Sequence, residues 1–79
     1  MGRMSARFVA LRVGESTEWI YKTWENMGLI EKDGHIGYKL TELGKENGGK
    51  MSQNSAVSVP TFDYDTIVAL MDEYVFGKD

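Results

Sequence analysis

Residues 6–27 contain two helical patterns that meet at a glycine, and this junction restricts the fold more than any other part of the chain. In each pattern the apolar side chains recur at spacings that place them on one face of a helix. The apolar positions are Val9, Ala10 and Val13 in the first helix and Ile20, Trp24 and Met27 in the second. Because the connection is short, both apolar faces can pack on one core. Residues 5–27 therefore predict a helix-turn-helix.

The turn between the two helices carries its own chemical signals. Gly14 can adopt the left-handed backbone conformation that ends a helix, at no steric cost. Ser16 or Thr17 can begin the next helix by accepting a hydrogen bond from a backbone N–H that lacks a partner inside the helix. The residues of the turn thus favour two helices over one continuous helix.

A β-hairpin, the wing, is predicted over residues 29–40. Asp33 and Gly34 form the strongest short-range signal for a two-residue turn of type I′, which needs positive φ at both positions. The second strand alternates apolar with small or polar residues, so one face packs inward. The inward positions are Ile36, Tyr38 and Leu40.

After the wing, Thr41 is suited to cap a short helix over residues 42–47. Residues 47–60 are rich in Gly, Ser and Asn, which predicts a flexible loop. Near its end Val57 and Val59 alternate with polar residues. This stretch could add to an edge of the wing before Pro60 stops the hydrogen-bond ladder.

A final helix is predicted over residues 64–76, with Asp63 as its N-cap. Its apolar positions are Ile67, Leu70, Met71 and Tyr74. Winged helices usually have another helix before the helix-turn-helix, whereas here only residues 1–4 precede it, so we expect the C-terminal helix to close the core. The 79 residues thus predict a single α+β domain, a winged helix-turn-helix with a helical core, a hairpin wing and a C-terminal helix.

The charge is unevenly distributed along the chain. The net charge is −3, but residues 1–50 carry eight Lys or Arg against seven Asp or Glu, while residues 51–79 carry one against five. Phosphate neutralisation usually dominates binding to nucleic acid. We therefore expect double-stranded DNA to bind weakly to the isolated domain, through its N-terminal part.

Several other functions have no support in the sequence. The chain lacks cysteine, which excludes disulfides, thiol catalysis and Cys-based metal sites. With a single His, no nucleophile with a neighbouring base is recognisable, so we expect no enzyme, no metal and no cofactor. The longest apolar run, residues 8–11, is too short for a membrane span. A cytoplasmic location is expected, and the oligomeric state stays open.

A broader pattern runs through these elements. Its parts are Ala10, Val13, Gly14, Ile20, the stretch from Met27 to Ile30, the stretch from Gly37 to Gly44, and Gly48 with Gly49. This pattern resembles the winged helix-turn-helix of prokaryotic and phage regulators, particularly the C-terminal domain of phage antirepressors. The resemblance extends over residues 5–50 and, more loosely, over residues 57–76. It implies a DNA-binding transcriptional regulator or the DNA-binding part of a phage-type regulatory protein.

The candidate DNA contacts lie on both helices and on the wing. They are Arg3, Arg7 and Arg12 from the first helix, Ser16, Thr17, Tyr21 and Lys22 from the second, and Lys32, His35 and Lys39 from the wing. In this hypothesis the second helix enters the major groove and the arginines hold phosphates. The alternative is a protein-interaction module on the same scaffold that binds no DNA. In that case Trp19, which cannot share a face with Trp24, is the candidate contact.

Overall fold

The computed structural model describes residues 2–35, 37–54 and 57–77, and within these ranges it has an α+β architecture of four helices and five strands. The elements in chain order are β1 (Arg3–Ser5), α1 (Ala6–Val13), α2 (Thr17–Asn26), β2 (Ile30–Asp33), β3 (Gly37–Leu40), α3 (Glu42–Glu46), β4 (Lys50–Asn54), β5 (Val57–Asp63) and α4 (Tyr64–Phe76). The strands form two antiparallel sheets, one with the order β1–β5–β4 and one made of β2 and β3.

The two predicted helices of the N-terminal part are confirmed, together with the chemistry of their turn. Gly14 has a φ of 81°, and its N–H donates to the carbonyl of Ala10 at 2.9 Å. Ser16, not Thr17, is the N-cap of α2, because its Oγ accepts from the N–H of Trp19 at 3.0 Å. Only residues 14–16 separate the helices, which keeps their apolar faces on one core.

Trp24 lies at the centre of the core and joins three elements. Its ring meets that of Phe62 edge to face, with the centroids 5.0 Å apart, and its Nε1–H donates to Sδ of Met71 at 3.3 Å. The buried hydrophobic residues are Ala6, Val9, Ala10, Ile20, Trp24, Leu29, Ile30, Leu40, Phe62, Ile67 and Met71. The core residues come from α1, α2, β2, β3, β5 and α4, together with Leu29 before β2. Strand β1 contributes only the half-buried Met4, which packs against this core.

The C-terminal helix α4 has the predicted bounds and the predicted cap. Asp63 accepts hydrogen bonds from the N–H and the hydroxyl of Thr66, both at 3.1 Å. Ile67 and Met71 are buried as predicted, and Leu70 is half-buried. The expectation that Tyr74 packs inward is wrong, because the last turn of α4 extends beyond the core and leaves this side chain 52% exposed.

The largest difference from the prediction lies in residues 47–60. Instead of a flexible loop, β4 and the first part of β5 form a second hairpin there, and residues 55–56 between them lie outside the described ranges. Pairing between the two strands therefore outweighs the weak strand preference of a Gly-, Ser- and Asn-rich segment.

The short helix before this second hairpin begins at the predicted cap. Thr41 caps α3, with its Oγ1 accepting from the N–H of Gly44 at 3.0 Å.

Strand β5 also differs from the prediction in its partners. It pairs with β1 and β4, not with the first hairpin, and it continues through Pro60 to Asp63. Strand β1 reaches only to Ser5, which pairs with Thr61. Pro60 therefore has a strand neighbour only in β4, and a missing N–H is tolerated where one side of a strand is unpaired.

The β2–β3 hairpin is present, but its turn is not the predicted two-residue turn. That turn would pair Lys32 with His35, whereas the observed partner of Lys32 is Tyr38 and the last pair is Asp33 with Gly37. The connection is therefore residues 34–36, with Gly34 at a φ of 78°. Three-residue connections with a left-handed residue are common in hairpins. Leu40 is buried and Tyr38 half-buried, as predicted, and Ile36 lies outside the described residues.

Candidate nucleic-acid interface

The exposed side of α2 starts at its capped N-terminus. Glu18, Trp19 and Lys22 are exposed, and Thr17 is half-buried. Ser16 is exposed too, although its hydroxyl oxygen already accepts the capping hydrogen bond. The first two turns of α2 therefore present several of the predicted contacts to solvent.

Tyr21 fastens α2 to the β2–β3 hairpin. Its ring stacks on that of Tyr38, with the centroids 4.6 Å apart and the planes 8° from parallel, and it meets Trp24 edge to face. Burial, and then the neighbouring Tyr38, raise the pKa of the Tyr21 phenol above its ordinary value. The expectation that Tyr21 points outward is therefore wrong, because the side chain is half-buried between the helix and the hairpin.

The hairpin divides its predicted contacts between two faces. Lys32 shares the face of its cross-strand partner Tyr38, and its Nζ lies 5.8 Å from the centroid of that ring. Lys39 pairs with Glu31 on the opposite face, with Nζ and Oε2 4.0 Å apart. His35 is exposed in the connection. Only Lys32 therefore lies on the hairpin face that packs against α2.

The three arginines have different environments. Arg3 is not on the first helix as predicted but on β1, where its Nη1 donates to the carbonyls of Gly48 at 2.7 Å and Thr61 at 3.3 Å. The guanidinium of Arg12 lies 5.4 Å from the ring centroid of Tyr64. Arg7 is exposed on α1. Arg3 is thus hydrogen-bonded within the fold, whereas Arg12 stays exposed while its guanidinium lies over Tyr64, so the expected phosphate clamp would lose Arg3.

The charges around α2 and the hairpin nearly cancel. The helix and its two neighbouring strands together carry three Lys, against four Asp or Glu. The carboxylate of Glu18 lies one turn from Lys22 on the same helix. Long-range attraction of a polyanion to this surface is therefore weak, since it depends on the summed charge.

A second surface feature was not recognised in the sequence. An apolar groove of about 300 Å³ lies between the end of α1, the start of α2 and the second half of α4. Its lining includes Val13, Glu15 and Trp19 on one side and Met71, Asp72 and Val75 on the other. Trp19 is 36% exposed, in agreement with the predicted partial exposure. The missed signal is that α4 has apolar residues around most of its circumference, which is typical of a helix covered on several sides.

Comparison of the chain with protein-family models, with curated proteins and with solved structures finds no match. The helices in the described ranges include none that is both long and apolar enough to cross a membrane. Among the same residues, no three His, Asp or Glu side chains come close enough together to hold a metal ion.

Proposed function

We propose that this chain is a winged helix-turn-helix domain that binds double-stranded DNA, as part of a phage-type or prokaryotic transcriptional regulator. The observation that carries the proposal is the stack of Tyr21 on Tyr38, which holds the β2–β3 hairpin beside α2 while the first turns of the helix stay exposed. A helix with a free N-terminal half is the element that enters a major groove, and an adjacent hairpin is suited to contact the backbone.

In this mechanism α2 supplies the base contacts and the hairpin supplies the backbone contacts. Lys22 is exposed and Thr17 half-buried in the first two turns of α2, where an ammonium group and a hydroxyl can reach base edges or phosphates. Lys32 and His35 would follow the DNA backbone beside the helix. Because the surface is close to neutral, most binding energy of a single domain would come from a few contacts, and affinity would be low.

The test is a fluorescence-anisotropy titration of a labelled random-sequence duplex over a series of salt concentrations. We expect weak binding that falls steeply with salt, since released counterions drive it. The variant Lys22→Glu should reduce the affinity. It should also make the negative slope of log K against log salt less steep by about 1, the value for one phosphate contact.

The matched control is Lys50→Glu, which makes the same charge change at an exposed position of β4 in the other sheet. It should alter affinity only through net charge, with the slope unchanged. Equal effects of the two variants would contradict the proposal, because α2 would then not be the contact surface.

A protein-interaction module is the second candidate function. The groove beside Trp19 favours it, because exposed aromatic side chains at the edge of an apolar depression are typical of protein interfaces. This alternative predicts that Lys22→Glu changes nothing measurable with DNA. It also predicts that a Trp19→Ala variant loses its protein partner while the fold is retained.

A further inference from the structure

Most of the exposed large hydrophobic side chains belong to three helices. Of the nine such side chains in the described ranges, seven lie on α1, α2 and α4, and the other two are Leu43 on α3 and Met51 on β4. The seven are Phe8, Leu11, Val13, Trp19, Tyr74, Val75 and Phe76. Leu11 is 71% and Phe76 79% exposed. When several large hydrophobic side chains are exposed on neighbouring helices, the surface that they form is typically covered by a binding partner.

The outward face of α1 combines apolar and basic side chains. Arg7 and Leu11 are four residues apart, as are Phe8 and Arg12, so the four lie on one side of the helix. All four are exposed. No acidic residue occurs between Ala6 and Val13. We call this surface the basic face.

The groove has the opposite charge. Glu15 and Asp72 stand among its apolar lining, and Glu73 follows on α4. Helix α4 carries three acidic residues and no basic one. The chain therefore presents an apolar basic face on α1 and an apolar acidic groove whose lining begins with Val13 at the end of the same helix.

We infer that a second copy of this chain occupies the groove. The basic face of α1 in each protomer packs into the acidic groove of the other, so that the same contact forms twice around a twofold axis. Such an exchange is what a closed, isologous interface requires, since each surface patch meets its complement on the partner. Charge complementarity favours this occupant over an acidic peptide, and Phe76 and Leu11 supply apolar anchors for the two sides.

The size of the uncovered surface is compatible with a dimer. A stable interface covers ~800 Å² on each partner. The accessible surface of the protomer is 5122 Å², so about one-sixth of it would have to be covered. The part of this surface that a partner would cover holds seven exposed hydrophobic side chains on the three helices that border the groove, whereas Leu43 and Met51 lie on other elements.

Sedimentation equilibrium of the full chain without DNA tests the inference. The wild type should show a reversible monomer–dimer equilibrium. Leu11→Ser and Phe76→Ser should each raise the dimer dissociation constant about tenfold or more, the effect of losing one apolar anchor at an interface. Leu43→Ser is the matched control, and it should leave the constant unchanged. Circular-dichroism melting of each variant checks that the protomer stays folded.

A charge exchange tests the geometry more sharply. Arg7→Asp alone and Asp72→Arg alone should each weaken self-association, because like charges then face each other at both contacts. An equimolar mixture of the two variants should recover dimers, since one contact of the mixed dimer keeps the original charges and the other has both charges reversed. An intramolecular effect of either substitution would not be corrected by mixing.

Three results would overturn the inference. A chain that stays monomeric up to millimolar concentration leaves the groove to a peptide or protein of different sequence. Dissociation by Leu43→Ser but not by Phe76→Ser places the dimer contact elsewhere. Failure of the mixed variants to associate contradicts the exchange of α1 into the groove. Because no DNA is present, each result is independent of the outcome of the DNA titration.

Discussion

Both hairpins of the molecule are antiparallel strand pairs, but they differ in which side chains they bury. The β2–β3 hairpin is local, and its Glu31, Lys32 and Lys39 are exposed. The β4–β5 hairpin contributes Pro60, Thr61 and Phe62 to the interior, where the Phe62 ring meets Trp24. The first hairpin buries only Ile30 and Leu40 and leaves its charged side chains exposed, whereas the second places consecutive residues of β5 against the helices.

In the proposed DNA-binding function, this difference separates the residues that stabilise the fold from those that contact DNA. The β2–β3 hairpin is attached at its base by the buried pair Ile30 and Leu40 and along one face by the stack of Tyr38 on Tyr21. Substitutions at its tip should therefore alter binding with little effect on the core. Substitutions at the buried residues of β5, Pro60 to Phe62, should destabilise the whole fold, so that any loss of binding would follow from unfolding.

The largest expected effect is that of Phe62→Ala. The side chain is fully buried against Trp24, so its removal should cost ~3–5 kcal/mol of unfolding free energy through lost burial and a cavity. Urea denaturation measures this loss. A cost below ~1 kcal/mol, the range of surface positions, would show that β5 is not central to the core.

The variant Gly34→Val should have a smaller and local effect. A β-branched residue at a φ of 78° is strained, which should cost ~1–2 kcal/mol. Amide hydrogen exchange should rise in β2 and β3 while protection in α1, α2 and β5 is retained. The neighbouring control His35→Ala should leave exchange unchanged, and a loss of protection throughout the domain would mean that the two hairpins are not separable.

The contact between α2 and the β2–β3 hairpin should be measurable as a coupling energy. A double-mutant cycle with Tyr21→Leu and Tyr38→Leu should give ~0.5–1.5 kcal/mol, the value for aromatic pairs beyond burial. A cycle that pairs Tyr38→Leu with Tyr74→Leu on α4 serves as the control. Additivity in both cycles would remove the stack as the link between helix and hairpin.

The smallest expected effect is a pH dependence at the junction of β5 and α4. The hydrogen bond from the backbone N–H of Thr66, and then the bond from its hydroxyl, hold the pKa of Asp63 below its ordinary value. A carboxyl group with a lowered folded-state pKa contributes stability above its unfolded-state pKa, and this contribution disappears as pH falls through the folded-state pKa.

Wild type should therefore lose stability relative to Asp63→Asn as the pH is lowered through about 4, where an unperturbed Asp is half protonated. Thermal melts of both proteins over a pH series measure this difference. A difference that stays constant with pH would mean that the Asp63 carboxylate has no preferential interaction in the folded state.

The sequence predicts the parts of this fold that are determined by neighbouring residues. The apolar periodicity of α1, α2 and α4 and the capping residues Ser16 and Asp63 are local signals. The structure confirms the three helices and both caps, whereas Val13 and Tyr74 of the predicted apolar faces are exposed. The pairing of β1 with β5 joins segments that are distant in the sequence, and the three residues of β1 carry no local pattern that predicts it. Strand β4 lacked a clear signal because its residues are mostly polar.

The candidate site was predictable to a similar extent. The exposure of Lys22 and the partial exposure of Trp19 follow from their positions on α2. The stack of Tyr21 could not be predicted, because it depends on where the hairpin lies. The position of Arg3 depends on the same distant pairing that formed β1, so its hydrogen bonds to Gly48 and Thr61 were equally hidden.

The pairing of β1 with β5 also has a consequence for the order of folding. Arg3 and Asp63 are partners although roughly 60 residues separate them, whereas Asp33 pairs with Gly37 across a short connection. Closing the long loop costs ~2 kcal/mol more chain entropy than closing one of about five residues. We expect both hairpins and the helix pair to form before β1 docks. Strand β1 is then the last element to join the domain and the first to detach from it, leaving one edge of β5 briefly open to other chains.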